Sequence, residues 1–392
     1  EVLVDGEPLA EGVTLLGPAS VTFRAADAAA RLGLDLEVEL TPQGLVRARG
    51  RVRNSGEDDF RVDELLVAFP VPRRARELLD FAGRWTKERV PQRHPLAVGT
   101  HRREGRRGRT GPDSAFVLHA GTPGFGFGEG EVWAVHTAWS GNHVHYAERA
   151  ASGEQLLGGG ELLLPAEGLL RPGEAYAGPW VYAAHGVGLD AVARRFHRWL
   201  RAREGYPAGP RPVTINVWEA VYFDHDLARL SDLAERAAAI GVERFVLDDG
   251  WFSSRRNDRS GLGDWVVSPD VWPDGLGPLI NKVTGLGMEF GLWFEPEMVN
   301  PDSDVARAHP EWVMQPGGGR LPVESRHQQV LNLGIPEAYA HVRDQLVALL
   351  TRYPIKAIKW DHNRDLVEAG TWPTGAPGVH EQTRAFYRLI DE

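Results

Sequence analysis

Lys359 and Asp361 stand two residues apart in the stretch IKAIKWDHNRDL, residues 355–366, where an apolar strand should end. Side chains two apart on a strand share a face, so an ammonium and a carboxylate are displayed together at a strand tip. The cation favours the ionised carboxylate. Such a group can act as a nucleophile, a base or a metal ligand, or form a structural ion pair. Asp248 and Asp249, in VLDDGWF, repeat the pattern after a second apolar run. Two adjacent like charges call for a cation or a hydrogen-bonding ligand. Sugar hydroxyls suit them, because a carboxylate accepts from each of two neighbouring hydroxyls. A solvated Asp-Gly turn and a hard-cation site are the other readings. Trp218, in NVWEAVYFD, and Trp293, in GLWFEPEMVN, lie near strand ends beside glutamates, either as core residues or as platforms for a sugar's C–H face. Arg326, in ESRHQQVLNL, offers bidentate contact to neighbouring oxygens or is an exposed loop residue.

The elements that must position these residues change character near residue 205. Before it, short alternating runs recur (VTFRA, LDLEVEL, LVRARGRVRN, LLVAFPV, VWAVHTAW, GELLLP), separated by Gly, Pro, Asp and Asn. That is the pattern of a β-sandwich. An amphipathic helix over 189–204 and a Pro/Gly linker, GYPAGPRP, close this half. Residues 1–205 are therefore read as one domain and 206–392 as a second. In the second, strand and helix alternate: VTINVWE, RFVLDDGW, MEFGLWFEPE, QQVLNL and IKAIKWD are the expected strands, with helical patterns between and after them. The alternation predicts a parallel sheet with helical crossovers. Glu219, Asp248–Asp249 and Asp361 then mark C-terminal strand ends. A (β/α)8 barrel gathers its site there, and so does a doubly wound sheet.

Bulk composition narrows the function classes. The chain has 392 residues, 42% of them hydrophobic, and a net charge of −10, which argues against a general nucleic-acid binder. Its 13 tryptophans suit a carbohydrate protein, since a flat apolar ring packs on a sugar while polar groups hold the hydroxyls. With no cysteine, disulfides and thiolate metal sites are excluded. No run of about 18 apolar residues predicts a membrane span. No signal peptide is visible, so cytoplasmic is the default expectation, although the sequence begins at Glu1 rather than Met. The arginine-rich HRREGRRGR, 101–109, reads as a solvated loop or subunit contact. GFGFGEG, 124–130, reads as strand and turn, without a dinucleotide fingerprint. HVH, 143–145, places two imidazoles on one strand face without a third ligand nearby.

Taken in order, WEAVYFD, LDDGWF, GDW, GLWFEPEMVNPDS, SRHQQVLNL and KWDHNRD resemble the α-galactosidases of glycoside hydrolase family 36. The likeness is close over residues 206–370, and the β-rich first half is similar to that family's N-terminal β-supersandwich domain. The resemblance implies a multidomain β plus α/β chain: a β-supersandwich followed by a truncated (β/α)8 barrel. It implies retaining hydrolysis of terminal α-galactosides of the raffinose and melibiose type, with Asp361 as nucleophile. Asp248 and Asp249 would hold the 4- and 6-hydroxyls of galactose, Lys359 and Arg326 would bind sugar, and Trp218 and Trp293 would line the pocket. Trp85, in GRWTKER, is similar to an aromatic lent by the sandwich domain. No metal or cofactor is implied, and tetramers are common in the family. The family's acid/base Asp lies downstream of the nucleophile, so the resemblance marks this chain, ending at Glu392, as a fragment with little activity by itself. Within the same resemblance an α-N-acetylgalactosaminidase or a raffinose or stachyose synthase is the alternative. Outside it, the alternatives are a non-catalytic galactoside-binding protein or a metal-dependent aldolase or hydrolase using Asp248 and Asp249.

Overall fold

A computed structural model describes residues 2–4, 7–8 and 19–392. The chain divides into two compact units, Glu1–Tyr206 and Pro207–Glu392, within the GYPAGPRP linker. Among the described residues no helix is long and apolar enough to cross a membrane.

Among its described residues the N-terminal unit holds an 11-stranded and a 4-stranded antiparallel sheet, with a small two-stranded one beside them. In the large sheet, β1 (Leu32–Leu40) alternates acidic residues with apolar ones and β2 (Val46–Asn54) alternates arginine with apolar or small residues. Arg47 lies opposite Glu39 and Arg49 opposite Glu37, and both pairs close as ion pairs, the cross-strand contact that pins register. The core lies between the sheets. Leu78, Leu118, Val135 and Val181 of the large sheet pack with Val71, Ala147 and Leu157 of the small one. Three strands matter below: β3 (Glu77–Arg84), β4 (Lys87–Pro95) and β5 (Gly99–Gly105).

Several expectations change here. HRREGRRGR is not a free loop: its first half is strand β5, and Arg102, Arg106 and Arg107 are paired with Glu64, Glu104 and Asp113. GELLLP lies mostly beyond the strand Gln155–Glu161. His143 and His145 are buried in the core with ring centroids 5.4 Å apart.

The C-terminal unit carries one parallel sheet of four strands in chain order, β6 (Thr214–Asn216), β7 (Arg244–Leu247), β8 (Glu289–Phe294) and β9 (Ala357–Trp360). Helices α1 (Leu227–Ala239), α2 (Gly277–Gly285) and α3 (Pro336–Arg352) fill the crossovers, and α4 (Val379–Asp391) follows. This is the strand–helix repeat of a (β/α)8 barrel. Asp226 caps α1 by accepting from Arg229 N at 2.7 Å, and Pro336 starts α3, where its missing N–H costs nothing. Phe245, Leu247, Phe290, Leu292 and Phe294 are buried, as parallel strands covered on both faces require.

Two sequence readings fail in this sheet. QQVLNL is not a strand of the parallel sheet: its strand is only Gln329–Val330, which pairs antiparallel with Met298–Val299 in a separate two-stranded sheet. Asp361 therefore follows the fourth parallel strand, not a fifth. Strand β6 stops at Asn216, and Trp218–Val221 is a helical turn. Glu219 is thus exposed on a helix, where it accepts from Tyr222 Oη at 3.2 Å, and does not cap a strand.

Leu292 sits at the centre of β8 with no exposed surface. Leu292→Ala should destabilise the unit by about 2–5 kcal/mol, read by urea unfolding. A loss under about 1 kcal/mol would contradict the close packing described for β8.

Candidate active site

Register places the chemistry in one row. Leu247 is level with Leu292, and Trp293 with Lys359. Asp248, Trp293 and Lys359 therefore stand side by side at the C-terminal ends of three neighbouring strands. Lys359 Nζ donates to Asp248 Oδ2 at 2.7 Å. Asp248 also accepts from the amide of Asn216, which ends β6, and from Asp249 N at 2.9 Å. The sequence spacing set Lys359 beside Asp361; the structure instead pairs it with Asp248.

Asp361 extends the sheet by one step, its N–H donating to Phe294 O at 2.8 Å. The indole Nε1 of Trp293 donates to its Oδ2 at 3.1 Å, the Asn363 amide to the same oxygen at 2.8 Å, and His362 N to Oδ1 at 3.0 Å. Asp361 is thus held by three donors, one from Trp293 of the row and two from His362 and Asn363 just after it in the chain. Trp293 in turn rests on an aromatic floor of Phe252 and Trp265, and Trp251 Nε1 donates to its carbonyl at 3.0 Å.

Asp249 has a different environment. It is buried and clamped by the equally buried Arg255, whose Nε reaches Oδ1 at 2.9 Å and whose Nη2 reaches Oδ2 at 2.8 Å. Arg255 Nη1 donates onward to Asn300 Oδ1 at 3.0 Å. Burial pushes the Asp249 carboxyl above its ordinary value; Arg255 opposes this, and Asp248 and Asp361 reinforce it. Gly250, at φ +113°, turns the chain straight after the acidic pair, in a conformation that an L side chain rarely adopts.

The remaining sequence candidates lie further out. Trp218, half-buried on its helical turn, packs edge-on against Tyr222 and Phe223. Its N–H donates at 2.9 Å to Asn216 Oδ1, the residue that also holds Asp248. Arg326 is exposed on a turn at φ +53° and makes one contact to Asn363 Oδ1, at 3.2 Å. Trp85 is at the β3–β4 hairpin tip, 81% exposed.

Asn216, Arg255 and Asn363 escaped the sequence reading of site residues. Asn363 was within reach, since it lies inside KWDHNRD. Nothing local marks Arg255, which comes from an irregular loop. Asp264 of the GDW motif is a helix cap, accepting from Asp304 N and Val305 N.

Glu295 and Glu297 follow β8 and are both buried. Glu297 accepts from Trp360 Nε1 at 3.3 Å and lies 3.2 Å from His362 Nδ1. Glu295 accepts from Asn363 N and from Gln328 Nε2, the latter at 3.0 Å. Burial pushes Glu295 up from 4.5 to about 7; Asn363 and Gln328 pull against it, and the Asp361 carboxylate adds to it. Between those two values the folded chain keeps a proton that the unfolded chain has lost. Stability therefore falls as pH rises from about 4.5 to about 7, by up to about 1.4 kcal/mol per unit. Glu295→Gln should flatten that slope in denaturant titrations across this window. An unchanged slope would reject Glu295 as its source.

Residues 6–171 match the family model described as the glycosyl hydrolase family 36 N-terminal domain, and residues 175–392 the one described as melibiase. The chain is 44% identical over 368 residues to an α-galactosidase of Escherichia coli, covering 93% of this chain and 52% of that protein. It is 31% identical over 377 residues to α-galactosidase AgaA of Geobacillus stearothermophilus, covering 93% and 51%. The crystal structure of AgaB from G. stearothermophilus superposes with a TM-score of 0.91 at 30% identity, over 100% of this chain and 56% of that one. An AgaA variant in complex with stachyose gives 0.91 at 29% identity, over 100% and 57%. The chain spans about half the length of the curated relatives it matches. With the melibiase model matching more than half of it and the N-terminal model most of the rest, the chain belongs to glycoside hydrolase family 36.

Proposed function

We propose that this chain carries the nucleophile and the galactose-recognising groups of a retaining α-galactosidase acting on terminal α-galactosides of the raffinose type. One observation supports this most: the row of Asp248, Lys359, Trp293 and Asp361 at the strand tips, joined by hydrogen bonds. A carboxylate held by three fixed donors is oriented before substrate arrives. Next to it stand a second carboxylate and an ammonium, suited to hydroxyl groups on one hexose ring.

In the proposed reaction an Asp361 oxygen bonds to the anomeric carbon as the glycosidic C–O bond breaks. The leaving oxygen takes a proton from a second carboxyl, about 5–5.5 Å from the nucleophile in retaining enzymes. Water then attacks the same carbon, that carboxyl recovers the proton, and Asp361 is released. Glu295 and Glu297 are not given this role, since both are buried and engaged with Asn363, Gln328, Trp360 and His362. The proposal draws the second carboxyl from sequence that the longer relatives possess outside the matched half.

Asp248 and Lys359 would take neighbouring hydroxyls. Asp249, although clamped by Arg255, retains lone pairs for a further donor. Trp218 would face the sugar beside them, and Arg326 would act through or alongside Asn363. AgaA variants crystallised in complex with stachyose and raffinose motivate the substrate class. Neither Asp248 nor Asp249 is assigned to a metal, because Lys359 and Arg255 already supply their counter-charges.

The test joins residues 1–392 to the remainder of the E. coli α-galactosidase and assays an aryl α-galactoside. Hydrolysis is expected. Asp361→Ala should lower it by roughly 10⁴-fold or more. Azide should then yield the β-galactosyl azide, since it enters opposite the α-leaving group. Full turnover by Asp361→Ala would end the nucleophile assignment. A folded graft that neither hydrolyses the galactoside nor binds 1-deoxygalactonojirimycin would end the whole reading.

A further inference from the structure

We propose a divalent transition-metal site in the N-terminal unit, formed by Asp80, His94 and His101, that takes zinc with water completing its shell. Asp80 lies on β3 opposite Gln92 of β4, so His94, two residues on, shares its face. His101 lies on β5, which belongs to the other sheet. No sequence spacing brings the three together; the fold does.

The distances fit an ion. His101 Nε2 is 2.7 Å from Asp80 Oδ2, and His94 Nε2 is 3.7 Å from the same oxygen. The two imidazole centroids are 4.4 Å apart. One ligand atom from each residue can be chosen so that all lie within 4.8 Å of one another. Ligands about 2.0–2.2 Å from a tetrahedral zinc ion stand about 3.3–3.6 Å apart, so the three need only small side-chain shifts to close on one ion.

Two further observations point to a missing partner. Asp80 is 3% exposed, yet its Oδ1 accepts no hydrogen bond, and the buried His94 Nε2 has no hydrogen-bond partner either. Buried polar atoms are rarely left so. The nearby Arg103 does not fill the gap: its Nε stands 3.5 Å from Oδ2, the oxygen His101 already uses, and its Nη2 donates to Asp113 O at 2.7 Å. Asp80 can therefore offer the ion its unpartnered Oδ1, or Oδ2 once the His101 proton sits on Nδ1. The imidazoles are 35% and 25% exposed along their side chains, which leaves a solvent path for the ion and its water.

The donor set selects the metal. Two imidazoles and one carboxylate suit zinc and its neighbours, whereas calcium and magnesium demand oxygen ligands. To ligate, His101 takes the tautomer with its proton on Nδ1. The bound ion would cross-link the β3–β4 hairpin to β5, and so the large sheet to the small one. Because it binds the folded unit, it raises thermal stability by mass action.

The test titrates metal-stripped 1–392 with zinc chloride by calorimetry and follows thermal unfolding in parallel. A single saturable zinc site and a melting temperature raised by several degrees are expected; calcium and magnesium should give neither. His94→Ala removes a partly exposed imidazole whose Nε2 makes no hydrogen bond, so its metal-free melting temperature should barely move. Its zinc affinity should fall by at least the roughly tenfold that even an indirect partner costs, and the zinc-induced shift should vanish. His94→Gln, which keeps the side chain's bulk, guards against misfolding of the alanine variant. No saturable zinc uptake by the parent chain, or uptake unchanged in either variant, overturns the proposal.

Discussion

The ion pair between Lys359 and Asp248 ties the tip of β9 to the tip of β7, two strands away in the sheet. It exists only because register sets Asp248, Trp293 and Lys359 at one level. Register in a parallel sheet is enforced by apolar side chains on both faces. A slip of one residue would turn Lys359 away and bring Ile358 or Trp360 into its place. The buried Phe245, Leu247, Phe290 and Leu292 are therefore part of the site's definition, although none carries a polar group. The pair is asymmetric: the Asp248 side chain is 3% exposed and Lys359 is 40% exposed. Desolvating the carboxylate is the costly part. Asn216 and the Asp249 N–H share the work of satisfying it, while the ammonium stays open to solvent and to a ligand.

The adjacent aspartates thus escape mutual repulsion by facing different cations. Asp248 meets the half-exposed Lys359, and Asp249 meets Arg255, which is itself buried. Arg255 spends its donors on Asp249, Asn300 and Ser260, so no part of that buried charge is left without a partner. Removing one member of such a pair is far more damaging than never having had it. The guanidinium also fixes both Asp249 oxygens in one plane, so the outer lone pairs keep a set direction.

The positions of the acids were legible in the sequence, and their partners were not. Apolar runs ending in Asp-Asp and Lys-Trp-Asp announce strand tips, and the sheet places them there. Lys359 was read with Asp361 because they are two apart on one strand, about 6.6 Å along it. Neighbouring strands lie only about 4.8 Å apart, so a long side chain reaches sideways more readily than along its own strand. The same blindness to lateral contact hid Arg255, and it hid Asp80, His94 and His101, which come from three strands in two sheets. Local pattern also overcalled strands. The apolar character of VTINVW continues past Asn216, but the Asn216 side chain accepts from Trp218 N and starts a helical turn instead. The apolar residues of QQVLNL are real core residues, yet only two of its positions extend, and they pair outside the parallel sheet.

Asn363 shows how a neutral group transmits charge across this surface. Its backbone N–H is held by Glu295, while its side-chain oxygen accepts from Arg326 and its amide nitrogen donates to Asp361. Rotating that amide by half a turn would set its N–H groups against the guanidinium and its oxygen against the carboxylate. Both new contacts would be repulsive, because Arg offers only donors and an ionised carboxylate only lone pairs. The exposed Arg326 therefore dictates the amide's orientation without touching Asp361. A side chain that reads as a bland surface arginine thereby helps to aim the donor that holds the proposed nucleophile.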